Sequence, residues 1–588
     1  MMRLQSNFPY KKISLILTLV FFLITFYVAF FHNTSWIVDA DGTGYLHAGE
    51  EILRGNAKNV KIFDAPLGGP IFVAFVNSFF DEGFSVMKMI SVLSGSGAVF
   101  ISFYILNNIV KPKTALLGQI FFAFHPFVGF FSIQADIDMF PVFFTMASLY
   151  FITKKDLNYS DIIFSTILVG IAFMIRTQAI VIFITIIIFL IIRYKDNIRK
   201  NSLLFLLTIT IFVITLSPLM YFNFSTYGVM FDHDASFFLQ WNSVYQTPEW
   251  KEQIMEIATN GDGTLAAIFT DFDLFTKNYL YNLFYNSPNR LFNFFDNANI
   301  SPIPVVPLLG MIPILVGLAY IVKTFKKNYG KNILPLLLLP LVFCLIMSIV
   351  HLSAGEQFLM MWISISMLTA IFFSEFVPSK IFKQNHNNGN HTLSTHTKKK
   401  ILLFSLIVLI LLSNFGYSYV MYRATSSYQA FENIPTEIEL LVKPELMTQR
   451  EDVVNEIWEK ISTDPDIKNS YVIAPQQYFV PFGEGKYFLA KFDEGPIDDT
   501  IENYITRKNW DYTEVFHSNV HSVPMDRLDL NHPIPKYIIH VDRNFGKEQH
   551  DFIKILNDPS NVKIPSNFEN IYFSKELGIS VYKITNFE

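Results

Sequence analysis

Two carboxylates with a spacing suited to chemistry follow the first long apolar run of the chain. They are Asp39 and Asp41, in the segment Trp36-Ile-Val-Asp-Ala-Asp-Gly-Thr-Gly-Tyr45. In an extended chain this spacing turns both carboxylates to the same side, and Gly42 and Gly44 permit the sharp turns that hold such a pair near a ligand. A charged side chain beside a bilayer is costly unless it faces water, a cation or a reacting group. The segment therefore predicts a catalytic loop, with a turn capped by Asp39 as the alternative.

More polar residues are expected at the same face of the membrane, in the connections between later apolar runs. They comprise one arginine, one histidine and several acidic or amide residues: Gln134, Asp136, Asp138, Arg176, His351 and Glu356. Acidic groups that converge with an isolated arginine at one membrane face indicate a site for a phosphate-bearing ligand. The alternatives are a headgroup contact for Arg176, a helix cap for Asp138 and a solvated loop position for Glu356.

The elements that must position these residues are long apolar runs. The chain has 588 residues, of which 51% are hydrophobic and 16% charged, and its mean hydropathy is +0.34. A run of about 20 apolar residues is long enough to cross a hydrocarbon core about 30 Å thick. We predict eleven such spans, at 13–32, 84–107, 114–133, 137–153, 161–175, 177–193, 202–222, 304–322, 333–350, 358–376 and 401–421. The fifth and sixth spans are short and could instead form one broken hairpin.

The positive charges fix the predicted orientation of these spans. Clusters of lysine and arginine fall on one side when eleven spans are counted, and the positive-inside rule makes that side cytoplasmic. The N-terminus is then cytoplasmic, and the first span, which lacks a small-residue cleavage site, is predicted to be a retained anchor. The external side receives the loops 33–83 and 223–303 and everything after about residue 422. We find no internal repeat, which argues against transporters built from duplicated halves.

Net charge and cysteine content argue against a nucleic-acid partner and against a disulfide-rich fold. A formal net charge of −5 gives no reason to expect a nucleic-acid partner. The single cysteine, Cys344, lies inside an apolar run, so the chain has no disulfide framework.

The C-terminal part of the chain is polar, and its pattern is that of a soluble domain. Its predicted elements are an amphipathic helix near 446–462, strands at Ser470–Ala474 and Lys536–Val541, and a closing hairpin within Ile571–Ile584. We therefore predict two domains, a transmembrane helical domain at 1–421 and an external soluble α/β domain at 422–588.

At four places the chain resembles the GT-C glycosyltransferases. These are multi-span membrane enzymes that use polyprenyl-phosphate sugars, and they include protein O-mannosyltransferases, aminoarabinose transferases and oligosaccharyltransferases. The matching motifs are Asp39-x-Asp41-Gly-x-Gly-Tyr45, Pro66-Leu-x-x-Pro70, Asp138-Met-Phe-Pro-Val-Phe-Phe with Ala147-Ser-Leu-Tyr150, and Gly170-Ile-Ala-Phe-Met-Ile-Arg176. The resemblance covers about residues 13–375. It implies a polytopic α-helical membrane protein of about eleven transmembrane helices, with the external α/β domain at its C-terminus.

The resemblance also implies a role for each site residue. Asp41 aligns with the family's catalytic aspartate and would be the general base that removes the proton of the acceptor hydroxyl. Asp39 would orient the acceptor or, in metal-using branches of the family, help to hold a divalent cation. Arg176 would stabilise the leaving lipid phosphate. The residues expected to position the donor or the acceptor are Tyr45, Asp138, His351 and Glu356.

The chain departs from the family pattern near its late spans. A Glu-Arg-Tyr motif of the family is replaced by Glu356-Gln357-Phe358, so a phosphate-binding arginine has been lost or has moved. Arg290, in the loop 223–303, is the substitute candidate. The aromatic residues of that loop suit either anchoring at the membrane interface or stacking on sugar rings. Asp232-His233-Asp234 has metal-ligand residue types, but so tight a spacing without partners is weak evidence for a metal site.

The favoured function is an inverting glycosyltransferase at the external face of the cell membrane. It would move a sugar from a polyprenyl-phosphate donor to a protein, lipid or glycan acceptor. A transporter or flippase for a lipid-linked glycan would instead place ionisable residues in mid-span, where His125 beside Pro126 is the main candidate. An oligosaccharyltransferase-like enzyme is a further alternative, because Asn509-Trp510-Asp511-Tyr512-Thr513 partly matches the Trp-Trp-Asp-Tyr-Gly motif of those enzymes. A structural anchor that displays the external domain would leave the polar cluster unexplained.

Overall fold

The computed structural model describes the chain in sections. The continuous sections are 9–32, 66–80, 83–197, 201–228, 271–287, 305–350 and 355–378. Isolated positions within 42–57 and 404–412, and the strands between 471 and 584, are described as well.

Apolar helices dominate the described N-terminal two-thirds of the chain. In order they are α1 (Tyr10–Tyr27), α2 (Gly68–Phe80), α3 (Gly83–Ile109), α4 (Pro112–Ala123), α5 (Pro126–Phe131), α6 (Met139–Ile152), α7 (Tyr159–Ile175), α8 (Ile180–Tyr194), α9 (Ser202–Tyr227), α10 (Phe272–Tyr281), α11 (Val305–Asn328), α12 (Leu334–Met347) and α13 (Trp362–Ile371). Five described stretches are long and apolar enough to cross a membrane, and five shorter apolar helices accompany them. The chain is therefore a multi-pass membrane protein, whereas the count of eleven spans stays a prediction.

A proline divides one of the predicted spans, and one extended residue separates two others. The third span is broken between α4 and α5, because Pro126 has no N–H to donate and holds His125 in an extended conformation (φ −71°, ψ 130°). The fifth and sixth spans are two helices, α7 and α8. They meet at Arg176, whose backbone is extended (φ −142°, ψ 125°) and is followed by a short 3₁₀ turn at Thr177–Ala179.

A proline also lies inside α9, where the helix continues through it. Pro218 cannot donate a hydrogen bond to the carbonyl of Ile214, and the hydroxyl of Ser217 donates to that carbonyl instead (2.7 Å). One turn earlier, α9 approaches α7 closely: a Cβ on Gly170 would lie 2.8 Å from Cγ2 of Thr215. The glycine of the fourth motif thus permits tight packing of these two helices.

Helix packing forms one large apolar core. α6 packs against α3 and α7, and α3 also contacts α1 and α4. The core contains Phe103, Phe122, Phe189, Phe343 and Trp362, all of which are fully buried. The outer faces of α1 and α9 expose leucine, isoleucine and valine, as expected of helices that face lipid.

The C-terminal strands belong to one mixed sheet. They are β1 (Tyr471–Ile473), β2 (Phe488–Ala490), β3 (Val515–Phe516), β4 (Pro535–Val541), β5 (Phe568–Ser574) and β6 (Ile579–Ile584), arranged in the order β3-β2-β1-β4-β6-β5. β1 pairs in parallel with β2 and β4, and the remaining pairs are antiparallel. The two predicted strands fall on β1 and β4, and the predicted hairpin falls on β5 and β6. The division into two domains stays a prediction.

Candidate functional site

A buried ion pair lies at the centre of the candidate site. Nη2 of Arg176 contacts Oδ1 of Asp138, and both residues are about 5% exposed or less. Asp138 occupies the N-cap position of α6, yet its side chain makes no cap hydrogen bond. Its carboxylate is used by the arginine, so the cap function considered for Asp138 is not the one that the structure shows.

Backbone geometry brings the arginine to this position. α7 ends at Ile175, where the N–H of Arg176 still donates to the carbonyl of Ala172 (2.9 Å). Because Arg176 itself is extended, its side chain leaves the helical path and turns towards the start of α6. The alternative of a headgroup contact for Arg176 therefore does not apply, since its side chain is 7% exposed.

Tyr45 links the ion pair to the segment that carries the two carboxylates. Its ring centroid lies 5.8 Å from Cζ of Arg176, and the residue is 2% exposed. At this distance the guanidinium can interact with the face of the ring. Tyr45 also packs with apolar residues of α2, α3 and the turn before α6, among them Val73, Met87 and Ile137.

The turn before α6 adds further polar groups beside the pair. Gln134 and Asp136 are both buried, and the hydroxyl of Ser91 on α3 donates to the backbone carbonyl of Asp136 (2.5 Å). The N–H of Ile137 donates to Oδ1 of Asp136 (2.5 Å). These hydrogen bonds tie the turn to α3 and hold it in place next to the ion pair.

Two glycines of the second motif explain how α2 reaches the site. A Cβ on Gly68 would collide with the backbone carbonyl of Met174, near the end of α7, and one on Gly69 would collide with the end of the Ile137 side chain. A Cβ on Gly49 would similarly lie 2.5 Å from the carbonyl of Pro70. The Pro66-Leu-Gly-Gly-Pro70 motif is therefore a close-packing motif that sets α2 against α7 and the 42–55 segment.

The helices that meet at the pair are short for a membrane crossing. α6 has 14 residues, which at 1.5 Å per residue is about 21 Å, against a hydrocarbon thickness of about 30 Å. Asp138, at the start of this short helix, is buried inside the helix bundle. A buried charge is tolerated only when it is paired, and the arginine provides that partner.

Several predicted site residues lie outside the described residues. These are Asp39, Asp41, Arg290 and His351, and the motifs Asp232–Asp234 and Asn509–Thr513 lie outside as well. The backbone of Glu356 belongs to a 3₁₀ helix at Gly355–Met361. Of the residues predicted from the sequence, the structure thus brings together Tyr45, Asp138 and Arg176.

Lys88 is a site candidate that the sequence analysis missed. It lies on α3 three residues before Ser91, so both side chains project from the same face of the helix. Ser91 contacts the turn before α6, and Lys88 is one turn closer to the end of α3 that begins at Gly83. The available signal was a single lysine inside an otherwise uncharged apolar run, which is costly in a membrane without a specific reason.

The mid-span histidine is part of an aromatic stack. The ring centroid of His125 lies 4.1 Å from that of Trp362, nearly parallel to it, and Phe127 stacks on the other residues of the group. His125 is 5% exposed. Its position at the break between α4 and α5 is thus explained by packing.

No group of three or more histidine, cysteine, aspartate or glutamate residues that could hold a metal ion occurs within the described part of the chain. Asp39 and Asp41, the carboxylates for which a cation was considered, are not in that part.

Comparison with known protein families gives a match over part of the chain. Residues 64–222 match the family model described as dolichyl-phosphate-mannose-protein mannosyltransferase. This segment contains Lys88, Asp138 and Arg176. No curated protein sequence matches the chain.

Solved structures with a similar fold include ArnT from Cupriavidus metallidurans. Its complex with undecaprenyl phosphate has a TM-score of 0.54 and 11% sequence identity over 98% of this chain and 99% of that chain. The apo state of the same protein has a TM-score of 0.52 over 97% and 99%. The archaeal oligosaccharyltransferase AglB from Archaeoglobus fulgidus, in complex with an inhibitory peptide and a dolichol-phosphate, covers 90% of this chain and 70% of that chain at 12% identity, with a TM-score of 0.48. The family-model match and the fold similarity to ArnT confirm the predicted resemblance to the GT-C glycosyltransferases.

Proposed function

We propose that the protein is a glycosyltransferase that moves a sugar from a polyprenyl-phosphate donor to an acceptor hydroxyl at the external face of the membrane. The observation that carries the proposal is the buried Asp138–Arg176 pair, with Tyr45 against it. The pair, though not Tyr45, lies inside the segment that matches a mannosyltransferase family model. The fold similarity to ArnT, which was solved with undecaprenyl phosphate, supports a lipid-phosphate donor.

The proposed step exchanges one bond to the anomeric carbon for another. The acceptor oxygen attacks that carbon from the face opposite the lipid phosphate, the bond from carbon to phosphate oxygen breaks, and the configuration inverts. Asp41 takes the acceptor proton, and the lipid phosphate leaves with the bonding electron pair. A carboxylate base close to an apolar boundary is suited to this task, because low polarity raises its pKa towards the working pH.

Asp39 is assigned a supporting role. It orients the acceptor or, together with Asp41, holds a divalent cation. Removal of metal with EDTA, followed by addition of Mg²⁺ or Mn²⁺, distinguishes the two roles, because only the second makes transfer depend on the added ion.

The leaving phosphate needs positive charge at the site. Arg176 is the proposed phosphate partner, but Asp138 already neutralises it, so one further cation is required for a dianionic or monoanionic leaving group. Lys88, from the same segment, supplies that charge in our proposal, and Arg290 is the second candidate. Tyr45, Asp138, His351 and Glu356 are proposed to position the donor or the acceptor.

The decisive experiment is transfer of a labelled sugar by the full-length protein in lipid nanodiscs. The donor is a polyprenyl-phosphate hexose, and the acceptors tested are a peptide, a lipid and a glycan. Asp41→Asn should lower the rate by at least about a hundredfold, because it removes the general base. Asp156→Asn, an exposed aspartate between α6 and α7, is the matched control and should leave transfer unchanged.

Three outcomes contradict the proposal. Full activity of Asp41→Asn removes the assigned base. Movement of the intact lipid-linked glycan across the bilayer, without formation of a new glycosidic bond, favours the transporter. Transfer of an oligosaccharide to asparagine would instead identify the oligosaccharyltransferase-like alternative.

A further inference from the structure

Three basic residues on neighbouring chain segments lie at the end of the helix bundle opposite to the Asp138–Arg176 pair. Lys155 lies in the connection between α6 and α7, Arg193 lies in the last turn of α8, and Lys331 begins the turn between α11 and α12. Because α6 starts at Asp138 and α7 ends beside Arg176, the connection that joins these two helices lies a full helix length away from the ion pair.

Hydrogen bonds to backbone carbonyls hold the three residues next to one another. Nη2 of Arg193 donates to the carbonyl of Lys155 (3.4 Å), and Nζ of Lys331 donates to the carbonyl of Arg193 (3.2 Å). We refer to Lys155, Arg193 and Lys331 as the basic triad. These bonds bring together three chain segments that are distant in sequence, each of which carries one basic residue.

Two exposed carboxylates, Asp156 and Asp196, lie near the triad in sequence, but neither is within ion-pair distance of it. Neighbouring Lys154 is paired with Asp161 (2.6 Å), but none of the triad side chains forms an ion pair with a carboxylate among the described residues. Arg193 additionally lies over the ring of Phe189, at 5.8 Å from the centroid. Adjacent like charges repel one another, so the arrangement favours an anion as its partner.

A buried asparagine next to the triad makes the site rigid. The side-chain amide of Asn332 donates to the carbonyl of Asn108 (2.7 Å) at the end of α3 and to the carbonyl of Thr153 (3.3 Å) after α6. These bonds fix the turn that carries Lys331 against the connection that carries Lys155. The backbone that carries Lys155 and Lys331 is therefore fixed, so a ligand would have to order only the side chains.

The triad lies at the polar end of an apolar helix. Ile191, two residues before Arg193, is exposed on the apolar surface of α8, and Lys155 and Lys331 are exposed to solvent. Arg193 thus stands where the lipid-facing surface of a helix ends. Basic pockets between helices at this level suit the phosphate groups of anionic lipids.

We propose that the basic triad binds the phosphate of an anionic phospholipid, such as phosphatidylglycerol. The arginine offers a planar pair of donors to the phosphate oxygens, and the two lysines add point charges on either side. The proposal is independent of the proposed enzyme activity, because it concerns residues at the opposite end of the bundle.

The test compares two variants that remove the same charge from the same end of the bundle. Lys155→Gln/Lys331→Gln removes two triad cations and keeps the carbonyl of Lys155 that Arg193 uses. Lys11→Gln/Lys113→Gln removes two exposed lysines, at the starts of α1 and α4, and serves as the control. The readout is phosphatidylglycerol bound to the full-length protein in detergent, measured by native mass spectrometry during titration with that lipid.

Each cation near a lipid headgroup contributes about a fivefold gain in affinity. We therefore expect affinity to fall by roughly 25-fold in the triad variant and by less than about twofold in the control. An equal fall in both variants overturns the proposal, because it indicates diffuse surface attraction. An unchanged affinity in the triad variant overturns it as well.

Two further arms complete the test. Phosphatidylcholine should bind equally weakly to the wild type and to both variants. Inorganic phosphate should not raise the unfolding temperature of the wild type as phosphatidylglycerol does, and an equal rise would overturn the lipid assignment. If the double variant fails to fold, Lys331→Gln alone, an exposed substitution, carries the comparison against Lys113→Gln.

Discussion

The guanidinium carbon of Arg176 lies 5.8 Å from the ring centroid of Tyr45, and both residues are buried. This contact joins the end of α7 to the segment that carries the two predicted catalytic carboxylates. Asp138 holds the other side of the guanidinium. We therefore propose that the ion pair positions this segment, in addition to the phosphate contact proposed for Arg176.

Breaking the ion pair from one side should be more damaging than removing both charges. Arg176→Gln leaves Asp138 buried without a counter-ion, and we expect it to lower the free energy of unfolding by about 3–5 kcal/mol. Asp138→Asn/Arg176→Gln should recover part of that loss. The measurement is denaturant unfolding in mixed micelles. Lys154→Gln breaks a partly exposed pair, so its expected cost is only about 1 kcal/mol. If the loss in the double variant equals the sum of the losses in Asp138→Asn and Arg176→Gln, the two residues are not coupled.

The ring of Tyr45 should matter more than its side-chain volume. Tyr45→Phe keeps an aromatic face for the arginine, whereas Tyr45→Leu removes it and with it about 1–2 kcal/mol. If that energy positions the Asp41 segment, kcat/KM for sugar transfer should fall by about tenfold in the leucine variant and by much less in the phenylalanine variant. Equal activity of the two variants would show that Tyr45 only fills space.

Gly68 and Gly69 should respond differently to the same substitution. In Gly68→Ala the new methyl group meets the backbone of Met174, which cannot move without displacing α7. In Gly69→Ala it meets the end of the Ile137 side chain, which can rotate. We expect a cost of about 1–3 kcal/mol or more for Gly68→Ala and a smaller one for Gly69→Ala. Thermal unfolding in detergent measures both, and a larger loss in Gly69→Ala would contradict the packing described for α2.

Tyr329 should make stability depend on alkaline pH. Its hydroxyl donates to Oε2 of Glu375 (2.8 Å), and burial together with the charge of Glu375 raises the pKa of this tyrosine. A raised folded-state pKa means that the contribution is present below the unfolded pKa of about 10 and is lost as pH rises above it. Unfolding temperatures measured between pH 8 and 11 should therefore fall more steeply for the wild type than for Tyr329→Phe. The same slope in both proteins would exclude Tyr329 as the source.

The lengths and breaks of the helices follow closely from the sequence. The position of Pro126 predicts the interruption of the third span, because proline cannot continue the hydrogen-bonding of a helix. The short fifth and sixth spans left open a broken hairpin, and the chain does turn at Arg176. In both places the signal is local, so it is present in the residues themselves.

The contact between Asp138 and Arg176, in contrast, cannot be read from a local sequence signal. The sequence analysis expects Asp138 and Arg176 at one membrane face, but assigns them separate roles. Their contact depends on how α6 and α7 pack, which is set by side chains spread over both helices. The proposal for Lys88 has a related basis, because it rests on the contact of Ser91, one helical turn away, with the turn before α6.

Pro218 gives α9 a point of flexure that can bend without loss of polar contacts. The carbonyl of Ile214, to which Pro218 cannot donate, accepts a hydrogen bond from the hydroxyl of Ser217. A change of angle at this point therefore leaves that carbonyl with a hydrogen-bond donor. The close contact between Gly170 of α7 and Thr215 of α9 lies just before Pro218 and restrains the part of α9 that precedes the proline. We expect the part of α9 from Pro218 to Gly228 to change its angle relative to the preceding part of the helix by bending at Pro218.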